Sequence, residues 1–116
     1  MLPIIHEYTQ VNYTEKDYLK TMLTDYDILK GTITHFINAY YKMMRKTDDK
    51  DKFIKSNISL VVRSIDKCIY KFIQKYDDCR VYLKKVNDMN KIMLSTINDK
   101  TKFKMMIKLL KLNIKP

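Results

Sequence analysis

Residues 52–76 read KFIKSNISLVVRSIDKCIYKFIQKY, and this stretch decides the fold class. Ile54, Ile58, Val61, Ile65, Ile69, Phe72 and Tyr76 recur every three or four positions, widened by Val62 and Ile73. That is one face of an amphipathic helix. Strict alternation fails along the segment, so the helical period outvotes the β-branched residues, which only slightly lower helix propensity. The predicted helix over 52–76 is roughly 36 Å long. On its far side Arg63, Lys67 and Lys71 form a basic row, one residue per turn.

Working outward, the same period appears on both flanks. Upstream, Tyr18, Leu19, Met22, Leu23, Tyr26 and Leu29 predict a helix over 15–29, with Thr14 and Asp17 placed as a capping box. Ile33, Phe36, Ile37, Tyr40, Tyr41 and Met44 predict a second helical face ending near Lys46. Between the two lies Gly31, the single glycine of the chain. It either ends the first helix as a left-handed cap or kinks one longer helix. Pro3 and the β-formers Ile4, Ile5, Tyr8, Val11 and Tyr13 predict an extended lead-in over 1–13. Downstream, a helix is expected over 79–95 with Tyr82, Val86, Met89 and Met93 on one face. Another is expected over 101–113, with Phe103, Met106, Ile107 and Leu110. Lys104, Lys108, Lys111 and Lys115 share one flank of that last helix. Asp48, Asp49, Asp77 and Asp78 stand where helix caps belong, and Asn98-Asp99 marks the break before the last helix.

The expected architecture is all-α: one domain over 1–116, a bundle of about five helices with short connectors. The chain of 116 residues has room for one domain. One glycine and two prolines cannot supply the turns of a sandwich or barrel, nor a Gly-rich phosphate loop.

Charge is unevenly placed. Residues 1–51 carry seven basic and eight acidic side chains, and residues 52–116 carry sixteen and five. A basic second half fits a polyanionic or acidic partner, whether glycan, nucleic acid, membrane surface or protein. Arg63, Lys67, Lys71, Lys104, Lys108 and Lys111 are the candidate contacts. Tyr13, Tyr26 and Tyr41 are candidates for the rim of a protein interface.

Catalytic chemistry is not expected. The two histidines, His6 and His35, lack companions in a useful frame, and His35 sits at an apolar edge where a packed or rim histidine is the ordinary reading. The acidic clusters lack the alternating oxygens and glycine of a calcium loop. Two cysteines are too few for a structural zinc site. No cofactor or metal is therefore expected. A helix unbroken to Tyr76 keeps Cys68 and Cys79 too far apart along its axis for a disulfide, so two free thiols are expected. The sequence has two glycosylation sequons, Asn12-Tyr13-Thr14 and Asn57-Ile58-Ser59. No stretch approaches the roughly 18 apolar residues of a membrane span, and the first residues lack the basic start of a signal peptide.

Over residues 30–114 the order of elements is similar to that of a known family. Thr32-Ile-Thr-His-Phe-Ile-Asn-Ala-Tyr-Tyr-Lys-Met-Met44 is followed by a polar connector, a long helix, a short basic helix and a last amphipathic helix. This resembles the C-terminal two-thirds of the class II helical cytokines, the interferon-gamma and interleukin-10 group. The Lys-, Ile-, Asn- and Tyr-rich composition resembles that of large AT-rich DNA viruses, which encode cytokine mimics and intracellular immune modulators. The resemblance implies a non-enzymatic, receptor-binding immunomodulator, secreted if a signal peptide has been removed. The alternatives are an intracellular basic protein of cytoplasm or nucleus that binds nucleic acid, and a viral Bcl-2-like binder of host proteins.

Overall fold

The computed structural model describes residues 2–114, with side chains over 15–52 and 57–114. All regular structure among them is helical: α1 (Leu2–Lys46), α2 (Lys50–Lys75), α3 (Cys79–Tyr82), α4 (Lys84–Leu94) and α5 (Asp99–Leu110). The all-α bundle of five helices expected from the sequence is the fold.

Helix α1 corrects one reading and settles an open one. Its backbone is helical from Leu2, where an extended lead-in over 1–13 was expected. Pro3 falls in the first turn, where its missing N–H would have no helical partner in any case, so it does not oppose the helix. The helix also runs through Gly31 without interruption. The reason is phase. Met22, Leu29, Ile33, Ile37 and Tyr40 are all buried, and the stripe crosses the glycine in step, one turn from Leu29 to Ile33. Burying that continuous stripe outweighs the roughly 1 kcal/mol that a mid-helix glycine costs relative to alanine. Gly31 lies on the exposed face, and a Cβ placed there meets nothing within 4 Å. Gly31→Ala is therefore expected to stabilise the protein by about 0.5–1 kcal/mol, read as a higher urea midpoint at unchanged slope. A lower midpoint would mean the helix bends at this position.

Residues 47–49 turn the chain back, and Asp49 caps α2 by accepting a hydrogen bond from the Lys52 N–H at 3.1 Å. The two long helices pack antiparallel, since α1 residues 18–25 meet the far end of α2 at 75–78. Helix α2 is the spine of the molecule. It packs on α1, α4 and α5, and Ile65 and Ile69 at its middle are wholly buried.

The expected helix over 79–95 is two elements. Leu83 takes φ −122° and ψ 87°, outside the helical region, which separates the single turn α3 from α4. Two tertiary anchors hold α3 in its own orientation: Asp78 just before it is bonded to α1, and Cys79 is fully buried. Tyr82, expected on the apolar face, is consequently 57% exposed, while Val86, Met89 and Met93 are buried as their spacing predicted and Ile92 joins them.

Helix α5 starts where Asn98 accepts from the Thr101 N–H at 2.9 Å. It ends at Leu110, short of the expected 113, because Lys111 adopts the left-handed conformation with φ 53°. The Leu112 N–H then reaches back to the Ile107 carbonyl at 2.9 Å, a Schellman closure built without glycine. Lys102 is buried on this helix. Its ammonium donates to the Met93 carbonyl at 2.8 Å, closing the C-terminal end of α4. A cation there meets both the orphan carbonyl and the negative end of the helix dipole.

Candidate interaction surface

A polar clasp orients the surface elements. Across the α1–α2 interface the Tyr18 hydroxyl donates to Asp78 Oδ1 at 2.6 Å, and the Tyr76 hydroxyl donates to Asp25 Oδ2. Lys75 Nζ bonds the same Asp25 oxygen at 2.8 Å. The Tyr18 and Tyr76 rings meet edge to face at 5.4 Å between centroids. Hydrogen bonds from Lys75 and Tyr76 hold the Asp25 carboxyl below its ordinary range, in spite of some burial. The hydrogen bond to Asp78, aided by burial, pushes the Tyr18 hydroxyl up to about 12. Burial first, then the bond to Asp25, raises Tyr76 as well.

These shifts give stability a dependence on pH whose sign follows from linkage. Asp25 is depressed in the fold, so its contribution is complete above the ordinary carboxylate range near 4 and is lost as pH falls through its lowered value. Tyr18 is raised, so its contribution is complete below about pH 10 and is lost as pH rises toward its folded value. Stability is expected to be level from above the carboxylate range to about pH 8, beyond which the buried Cys79 thiol, pushed up by desolvation, adds a loss of its own. Asp25→Asn is expected to reduce the acid limb, and Tyr18→Phe the alkaline one, in urea midpoints measured across pH. Unchanged limbs in both variants would contradict the assignment.

All six predicted basic residues, Arg63, Lys67, Lys71, Lys104, Lys108 and Lys111, are exposed, and none is in an ion pair among the described residues. They form two separate groups. Arg63, Lys67 and Lys71 lie on the outward face of α2. Lys104 and Lys108 lie on α5, joined there by the exposed Lys100, with Lys111 at its left-handed end. Lys115 lies outside the described residues.

Of the tyrosine rim, Tyr41 is corrected. Tyr41 is buried at 4% exposure, in an aromatic cluster with Tyr40 and Phe103 at centroid distances of 5.4 and 6.2 Å. Adjacent Tyr40 and Tyr41 both turn inward, where Phe103 of α5 meets each ring; Tyr40 and Phe103 are 5.1 Å apart. Tyr26 is half-buried and packs edge to face on Phe72 at 6.4 Å, so its ring belongs to the α1–α2 interface. The side chain of Tyr13 lies outside the described residues, as do those of His6 and Asn12. His35 is exposed.

The sequence reading missed residues that share the outward face of α2. Leu60 and Tyr70 are each 60% exposed. Leu60 stands three positions before Arg63 and Tyr70 three after Lys67, so the i, i+3 neighbours of the basic row would have found them. Tyr70 is held by Gln74, whose Nε2 donates to its hydroxyl at 3.0 Å. Tyr82 and Val81 project from α3. Leu60 and Tyr70 thus place apolar and aromatic surface beside the exposed cations Arg63, Lys67 and Lys71.

Cys68 and Cys79 are free thiols, Cys68 half-buried and Cys79 buried with its thiol pushed up by desolvation. Among the described residues no cluster of three or more His, Cys, Asp or Glu side chains could hold a metal ion. No helix there is long and apolar enough to cross a membrane. No protein-family model, curated protein or solved structure matches this chain.

Proposed function

We propose that this chain is a non-enzymatic helical interaction module that binds an acidic protein surface through the outward face of α2. The observation that carries the reading is the strip Leu60, Arg63, Lys67, Tyr70 and Lys71: exposed, without ion pairs among the described residues, and mixed in chemistry. A phosphate-tracking surface needs cations alone. Leu60 and Tyr70 add the apolar and aromatic contacts on which protein interfaces depend. The cytokine resemblance gives the partner its form, a receptor ectodomain with an acidic face, and the secreted viral immunomodulator is the corresponding biological role.

The test uses two probes on the full chain: a synthetic peptide alternating Glu with Leu and Tyr, and a DNA duplex of about 20 base pairs. The triple variant Arg63→Glu, Lys67→Glu, Lys71→Glu is expected to keep its far-UV spectrum and urea midpoint, since its side chains point into water. It is expected to lose at least roughly tenfold in peptide affinity at low salt, and less as salt screens the charges. Tyr70→Ala is expected to weaken the peptide and leave the duplex unaffected. Tighter binding of the duplex, with a steep salt slope and no effect of Tyr70→Ala, would replace this reading with nucleic-acid binding.

A further inference from the structure

The bundle contains a cavity of about 410 Å³ where the end of α1, the start of α2 and the start of α5 converge. This size lies within the roughly 300–1,000 Å³ of small-molecule sites. Its described walls are apolar and aromatic: Tyr40, Tyr41 and Ile58 are buried and Met44 half-buried. Its mouth is charged. Lys50, Lys100 and Lys104 are exposed around it against one carboxylate, Asp51, and none of the four is in an ion pair among the described residues.

Tyr41 adds an independent observation. It is buried, yet its hydroxyl has no hydrogen-bond partner among the described residues. No sealed side-chain polar atom there lacks a partner, so the Tyr41 hydroxyl is not sealed off, and the residue lines the cavity. A hydroxyl on a cavity wall can supply about one hydrogen bond to a ligand that brings an acceptor.

We infer that this cavity binds a small amphipathic anion, a monocarboxylate with an aliphatic body, whose chain lies against Tyr40, Met44 and Ile58 and whose carboxylate meets Tyr41 and the lysines of the mouth. Each part is selective. The apolar walls reward the alkyl chain in proportion to the area they cover. The excess of two positive charges at the mouth favours an anionic head over a neutral one of equal size. Ser59 of α2, whose hydroxyl donates to Asp99 Oδ2 at 3.1 Å, ties the two helices that supply the lysines.

The test is calorimetric titration of the full chain at low salt with octanoate, octanol and inorganic phosphate. Octanoate is expected to bind saturably at one site, octanol at least roughly tenfold more weakly, and phosphate not measurably. Lys100→Glu with Lys104→Glu is expected to cost octanoate at least roughly tenfold, and Tyr41→Phe a few-fold. Lys67→Glu with Lys71→Glu, on the outward face of α2, is expected to leave octanoate binding intact and so separates the cavity from general surface charge. Three results would each overturn the inference: no saturable octanoate binding at millimolar concentration, equal binding of octanol or phosphate, or equal sensitivity to both pairs of charge reversals in folded variants.

Discussion

Phe103→Ala is expected to destabilise the protein by about 3–5 kcal/mol, the range for removing a large aromatic side chain from a core. Phe103 is wholly buried on α5 and meets Tyr40 and Tyr41 of α1 edge to face. The substitution removes apolar burial and leaves a void that neither tyrosine can fill, since both belong to a continuous long helix. It also loses ring pairs that each contribute about 0.5–1.5 kcal/mol beyond their area. Set against a total stability of about 5–15 kcal/mol for a typical domain, the variant should be close to unfolding at room temperature. Urea denaturation followed by circular dichroism measures it. A loss below about 1 kcal/mol would mean that α5 is not packed on the end of α1.

Ile65→Ala is the second large effect, about 2–5 kcal/mol. Ile65 stands at the middle of α2 with no exposed surface, on the helix that α1, α4 and α5 all contact. A cavity bounded by several helices cannot collapse without moving all of them, which favours the upper part of the range. Leu60→Ala provides the control on the same helix. Leu60 is mostly exposed, and its truncation is expected to change stability by no more than about 0.5 kcal/mol. Equal costs at the two positions would invert the assigned faces of α2.

The two variants probe different kinds of information. The burial of Ile65 is legible in the amino-acid sequence, because the apolar stripe over 52–76 is long, regular and set by a local rule: residues three and four apart share a helix face. The same rule places Met22, Leu29, Ile33 and Ile37 inside, and leaves Arg63, Lys67 and Lys71 outside. The cap at Asp49 is legible for a similar reason, since a side chain that reaches its own next turn needs no distant partner.

The position of Phe103 against Tyr40 and Tyr41 is not legible there, and neither is the cavity beside them. Spacing assigns a residue to a face, but it does not say which face of which helix lies opposite. Tyr41 shows the consequence. Spacing puts Tyr41 on the apolar face beside Tyr40, yet an adjacent pair about 100° apart also allows a rim position, and only the contact with Phe103 shows which holds. Asp78 is a second case. It was expected to cap its own helix, but Tyr18, 60 positions away, takes its carboxylate. Lys102 is a third, a charged side chain drawn inside because the open end of α4 offers it a carbonyl.

Sequence by itself therefore determined the helical class, the buried stripes and the uneven charge of the two halves, all of which follow from interactions within a turn or two of chain. Tertiary structure alone decided the continuity through Gly31, the break at Leu83, the meeting of Phe103 with Tyr40 and Tyr41 and the gathering of Lys50, Lys100 and Lys104 around one cavity. In each of these the local preferences are nearly balanced. Contacts between residues far apart in sequence then supply the one or two kcal/mol that choose between the alternatives.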